Sequence, residues 1–183
     1  MNIQSITSAQ DVGIQVVYQD LALAPDLTVA ENIFLGREIL KPNIGKTFGV
    51  MNKKLMRAKS AEFLAKLGIG LKSMSVSVKS LSGGERQALA VAKAVTWATS
   101  ALVMDEPTAA LGARQSALVY NTIRAAADEN LAVMLISHDI PKMVEYADRI
   151  CIMRHGVVIA DIEAHKTDLK TVLSLMLTGK AEN

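Results

Sequence analysis

Cysteine is nearly absent. Cys151 stands alone among 183 residues, so no disulfide can form within the chain, and a reducing compartment fits best. Aromatic residues make up 4%, with Trp97 the one tryptophan. That supply is too thin for base stacking or an aromatic cage. An excess of either charge is lacking as well. Lys and Arg total 20 against 18 for Asp and Glu, leaving +2, which gives no electrostatic footing for nucleic acid. No apolar run approaches the roughly 18 residues of a membrane-spanning helix. The stretch from Met1 to Asp11 is polar, with neither a cationic leader nor an apolar h-region, and does not read as a signal peptide.

What is present is apolar bulk. Hydrophobic residues reach 50% and charged residues 21%, a balance that excludes disorder. The length favours one domain, or one domain with a lobe, large enough to bury about 70% of its unfolded surface. Mean hydropathy is +0.26, which core strands and a surface meeting a partner would together explain.

Short apolar runs alternate with helical patterns. Gly13 to Tyr18, Ala101 to Met104 and Leu131 to Ile136 read as strands. Thr28 with Glu31 three residues on, and Asn52, read as helix caps. Further helices are expected from Glu85 to Ala98, Arg114 to Glu129, Ile140 to Ala147 and Thr167 to Leu177. A hairpin is expected to turn at Arg154-His155-Gly156. Strands apolar throughout, alternating with helices, indicate a mainly parallel α/β sheet buried on both faces. Ligands in such sheets sit beyond the carboxyl ends of strands, so polar residues directly after these strands become site candidates.

Two strings and one isolated residue meet that description, and a third string joins them on other grounds. Leu81-Ser82-Gly83-Gly84-Glu85-Arg86-Gln87 opens a helix. Its glycines let backbone amides approach an anion, the helix start favours negative charge, and Ser82 adds a hydroxyl. Taken alone, the same residues make an ordinary helix cap. Met104-Asp105-Glu106-Pro107-Thr108 follows a strand. Asp105 there can hold Mg²⁺, and Glu106 can polarise an attacking water; alone, the pair could also be an acidic cap. Ser137-His138-Asp139 ends the next apolar strand, where His138 can donate to a phosphate oxygen or be only structural. Gln19 follows the first strand, and its amide can ligate Mg²⁺ or order water.

Together these strings resemble the ATP-binding-cassette (ABC) ATPases. Ser82, Gly83, Gly84, Glu85 and Gln87 match the signature motif, Asp105 and Glu106 Walker B, His138 the switch histidine, and Gln19 the Q-loop. The segment from Val17 to Glu38 resembles the carbohydrate-import branch. The resemblance implies a P-loop NTPase-type α/β fold, a helical lobe over about residues 25–85 and a core part over about 99–183. It implies ATP and Mg²⁺ as cofactors, and a second cassette bound head to tail. It further implies transmembrane permease subunits, a periplasmic sugar-binding protein served indirectly, and a peripheral place on the cytoplasmic face of the inner membrane. On this resemblance Glu106, His138 and Gln19 would be catalytic, Asp105 and Gln19 would hold the metal, and the signature residues would meet ATP.

Two departures stand out. No G-x-x-x-x-G-K-[ST] string occurs; before Gly45-Lys46-Thr47 the leading glycine would fall on Leu40. The chain is therefore expected to be a cassette without its N-terminal strands and P-loop, inactive alone, and with apolar surface uncovered. Gly112 stands where most of the family carries aspartate, which weakens a cross-dimer contact. An interaction-only remnant and a soluble cassette protein outside transport remain alternatives; the latter usually brings coiled-coil insertions or tandem cassettes, which this sequence lacks.

Overall fold

The computed structural model describes residues 3–18, 20–42, 49–109 and 111–179. Two compact units divide the chain, Met1–Leu135 and Ile136–Asn183.

The first unit opens with α1 (Ile6–Asp11), capped by Ser5 and Ser8, each bonded to the other's backbone N–H. Serine in place of the usual Glu or Gln leaves this helix unmarked in the sequence. Strand β1 (Ile14–Val17) follows Gly13, which sits at φ 80. A Cβ on Gly13 would lie 2.0 Å from Thr99 Oγ1, so the close approach of the chain to Thr99 requires glycine. Helix α2 (Val29–Ile33) starts at the expected capping box. Glu31 accepts from the Thr28 N–H at 3.0 Å and from its hydroxyl at 2.8 Å. Asn52 caps α3 (Lys53–Lys66), its side chain accepting from the Leu55 N–H. Val29, Ile33, Phe34, Met56, Leu64 and Leu89 form the core here. Fully buried Asn32 ties down the preceding loop through both amide ends, at Ala24 N and Ala24 O.

Helix α4 (Gly83–Trp97), strand β2 (Ala101–Asp105), helix α5 (Ala113–Asp128) and strand β3 (Ala132–Ile136, its last residue beyond the unit's edge) follow. The sheet order is β1-β2-β3, and β1 runs parallel to β2 with Val17 paired to Met104. Both strands thus deliver their carboxyl ends at one level. Val17, Leu102 and Met104 meet Ala90, Val91 and Ala94 of α4 and Val119 and Ile123 of α5 in a second core. The other sheet face is not buried as expected. Met134 is 63% and Ile136 52% exposed, because α4 and α5 both bring their apolar stripes to the face carrying Leu102 and Met104.

The second unit holds α6 (Ile140–Tyr146), β4 (Arg149–Arg154), β5 (Val157–Glu163) and α7 (Leu169–Thr178). β4 and β5 pair antiparallel from Arg149↔Glu163, with a bulge between Ile152 and Met153. Their turn is the expected one, His155 and Gly156 both lying at positive φ. Ile140, Ile150, Ile152, Ala164 and Val172 form its core.

Candidate functional site

The signature-like string begins its helix earlier than its glycines suggest. Ser82, not Gly84, is the residue before the helix, and Gly83 and Gly84 lie in its first turn. The reason is a reciprocal cap. The Ser82 hydroxyl accepts from the Glu85 N–H at 3.3 Å, while Glu85 accepts from the Ser82 N–H and hydroxyl at 2.8 Å each. Those bonds, the Ser82 N–H above all, hold the Glu85 carboxyl below its ordinary range. Arg86 turns back and donates to the Leu81 carbonyl at 2.9 Å, and Gln87 is buried against the helix. Ser82 and Gly83 remain exposed.

The two glycines differ sharply. A Cβ on Gly83 would meet nothing within 4 Å, whereas one on Gly84 would lie 2.9 Å from Gln115 Nε2 and 3.0 Å from its Cδ. A side chain at position 84 would thus have to displace the Gln115 amide, which rests there from α5. Gly83 faces open space, and no contact among the described residues explains its lack of a side chain.

The acidic pair ends β2. Asp105 closes the strand half-buried, and Glu106 follows with φ 50. A non-glycine residue in the left-handed region costs of order 1 kcal/mol and points to a functional constraint. Glu106 Oε2 is shielded from solvent. Pro107 and Thr108 are buried behind it, and Thr108 Oγ1 lies 3.2 Å from the hydroxyl of fully buried Tyr120. The chain then turns through Leu111 N–H to the Thr108 carbonyl and enters α5 at Gly112. Gly112 brings no capping side chain. Gln115 supplies only the return half of a capping box, its Oε1 accepting from the Gly112 N–H at 3.2 Å. Gln115 was not among the candidates; the G-x-x-Q spacing, a capping-box pattern lacking the usual Ser or Thr, is the signal that marks it.

A carboxylate pair at a strand end suits Mg²⁺, which is commonly held by one or two carboxylates with phosphate and water completing its shell. Among the described residues no group of three or more His, Cys, Asp or Glu forms a closed cage. His138 lies in the second unit, exposed, between Ile136 and α6. Asp139 caps that helix through the Lys142 N–H, and Ser137 Oγ accepts from the Asp139 N–H at 3.1 Å. Gln19 and Gly45-Lys46-Thr47 lie outside the described residues.

Comparison with known proteins identifies the family and the fold. A family model described as ABC transporter matches residues 2–109. The fructose import ATP-binding protein FrcA of Rhizobium meliloti is 39% identical over 97% of the chain and 69% of its own length. The xylose/arabinose import ATP-binding protein XylG of Sulfolobus acidocaldarius is 38% identical over 94% of the chain and 66% of its own. The ribose import ATP-binding protein RbsA of Streptococcus agalactiae is 35% identical, and the chain spans 34% of it. Among solved structures, the dimeric ATP-binding cassette MJ0796 bound to ADP and Pi superposes with a TM-score of 0.70 at 24% identity. The match covers 89% of this chain and 68% of that one, and shows the shared fold.

Proposed function

Given that this chain belongs to the ABC transporter family, we propose that it is the ATP-binding and hydrolysing subunit of a sugar importer. The observation that carries the reading is the acidic pair at the end of β2, with Glu106 held at φ 50 directly after Asp105. Import ATP-binding relatives that align over nearly all of this chain support it.

In this reading Asp105 holds Mg²⁺, directly or through water, and Glu106 takes the proton of the attacking water. Bound Mg²⁺ would neutralise phosphate charge. His138 donates to a phosphate oxygen, and the Gln19 amide orders water or the metal. Ser82 and the amides of Gly83 and Gly84, at the positive end of α4, receive the γ-phosphate carried by a second cassette bound head to tail. Glu85 and Gln87 complete the nucleotide-facing string, Glu85 also capping the turn and Gln87 buried in the helix. Residues of about 25–85 form the helical lobe, and about 99–183 the core part of one cassette domain. The partners are a permease and, through it, a periplasmic sugar-binding protein, with the subunit peripheral at the cytoplasmic membrane face.

A second reading has an observation of its own. The 183 residues contain no phosphate-cradling G-x-x-x-x-G-K-[ST] string. By itself, then, this polypeptide offers the signature turn and the acidic pair without a P-loop lysine, and serves as an interaction partner. The test joins the chain to the P-loop-bearing segment of a relative. Mg²⁺-dependent hydrolysis is expected to appear, and Glu106→Gln to abolish it with ATP still bound. A variant that lost binding but kept its rate at saturation would refute the role of Glu106.

A further inference from the structure

Two loops of this chain are joined by a single side chain that neither motif contains. One is the turn at Ser82–Gly84, which starts α4. The other is the entry to α5 at Leu111-Gly112, downstream of the acidic pair. Gln115 sits between them. Its Oε1 accepts the Gly112 N–H at 3.2 Å, and its amide rests on Gly84, where an added Cβ would lie 2.9 Å from Nε2, 3.0 Å from Cδ and 3.2 Å from Oε1.

We infer that Gln115 is a positioning residue that holds the signature turn and the loop after the acidic pair in one fixed register. The inference rests on the reading of Ser82–Gln87 as a nucleotide-facing turn. Both loops leave the N-terminal ends of packed helices, and both would face the second cassette. An error of about 1 Å in either costs binding steeply. The contact touches a glycine in each loop. Gly84 leaves room for the amide, and Gly112, with no capping oxygen of its own, leaves its N–H to Gln115.

The experiment uses the 183-residue chain and a separate full-length sugar-import cassette loaded with ATP, its hydrolytic glutamate replaced by glutamine. Gln115→Met keeps bulk against Gly84 but cannot accept from Gly112. It is expected to weaken ATP-dependent association about tenfold by misplacing the turns, and to lower the melting temperature by a few degrees for the hydrogen bond lost inside the fold. Its ¹⁵N–¹H resonances should move at Ser82–Arg86 as well as at Gly112–Arg114. Gly84→Ala should weaken association and shift Gly112, because the methyl group pushes the amide aside. Gly84→Ala with Gln115→Ala should lose little more than either change alone, because both break the same link.

Shifts confined to α5, or losses that simply add, would overturn the inference. So would unchanged association in both single variants. If the parent chain fails to associate with the ATP-loaded cassette, the nucleotide-facing reading of Ser82–Gln87 fails. The resonances then decide Gln115 by themselves: movement in both turns upholds the link, and movement in α5 alone refutes it. Should Gln115→Met fail to fold, Gly84→Ala and its effect on Gly112 carry the same decision.

Discussion

Replacing Gly83 by alanine separates what the fold needs from what the site needs. Gly83 has no positive φ, and a Cβ there would meet nothing within 4 Å. Alanine costs the unfolded chain conformational freedom and costs the folded chain nothing, a gain of about 0.4–1 kcal/mol. For a domain of this size that raises the melting temperature by roughly 1–4 °C. Gly83→Asp should also fold well, since a carboxylate in the first turn of α4 favours the helix dipole by about 0.3–1 kcal/mol. Association should behave oppositely. The aspartate stands where a γ-phosphate would approach, and like charges meeting in a closed interface cost several kcal/mol. In a chain carrying a P-loop and Glu106→Gln, monomers should still bind ATP but fail to dimerise by light scattering. The assay pairs thermal melts with scattering, with and without ATP. A Gly83→Asp protein that dimerised normally would reduce residues Leu81–Gln87 to a helix cap. A Gly83→Ala protein that lost more than about 1 kcal/mol of stability would show that the glycine serves the fold after all.

Two further outcomes follow. The 183-residue polypeptide should hydrolyse ATP far below the ~1 s⁻¹ of slow ordinary enzymes, because no P-loop amides or lysine grip the phosphates; turnover at that rate, lost in Glu106→Gln, would contradict it. The Glu31 carboxyl is lowered from 4.5 to about 2, first by Lys53, which lies 2.9 Å away, and then by Thr28. A carboxyl depressed in the folded state contributes stability that is full above 4.5 and is lost as pH falls toward 2. Melting temperatures recorded across that window should fall with a smaller slope in Glu31→Gln, and equal slopes would refute the assignment.

Much of the architecture is legible in the sequence because local chemistry decides it. Thr28 with Glu31, Asn52 and the Arg154-His155-Gly156 turn each carry their own signal, and the structure forms a cap or turn at each. The acidic pair is legible as a strand end for the same reason. What stays hidden depends on contacts distant in sequence. Nothing in Met104-Asp105-Glu106 announces the left-handed backbone of Glu106. Nothing near Gly84 names Gln115, which arrives from another helix. Helix α1 hides because serine stands where a glutamate would mark its cap. The apolar run of β3 reads as buried on both sides, since periodicity reports the residues of a strand and not how many layers cover it.

The backbone of Glu106 has a consequence for laboratory evolution. Glycine or asparagine tolerates φ 50 better than glutamate does. Libraries screened only for soluble expression or heat resistance will therefore enrich non-acidic residues at position 106. A thermostable descendant obtained that way would bear its history as a silent site, well folded and chemically idle.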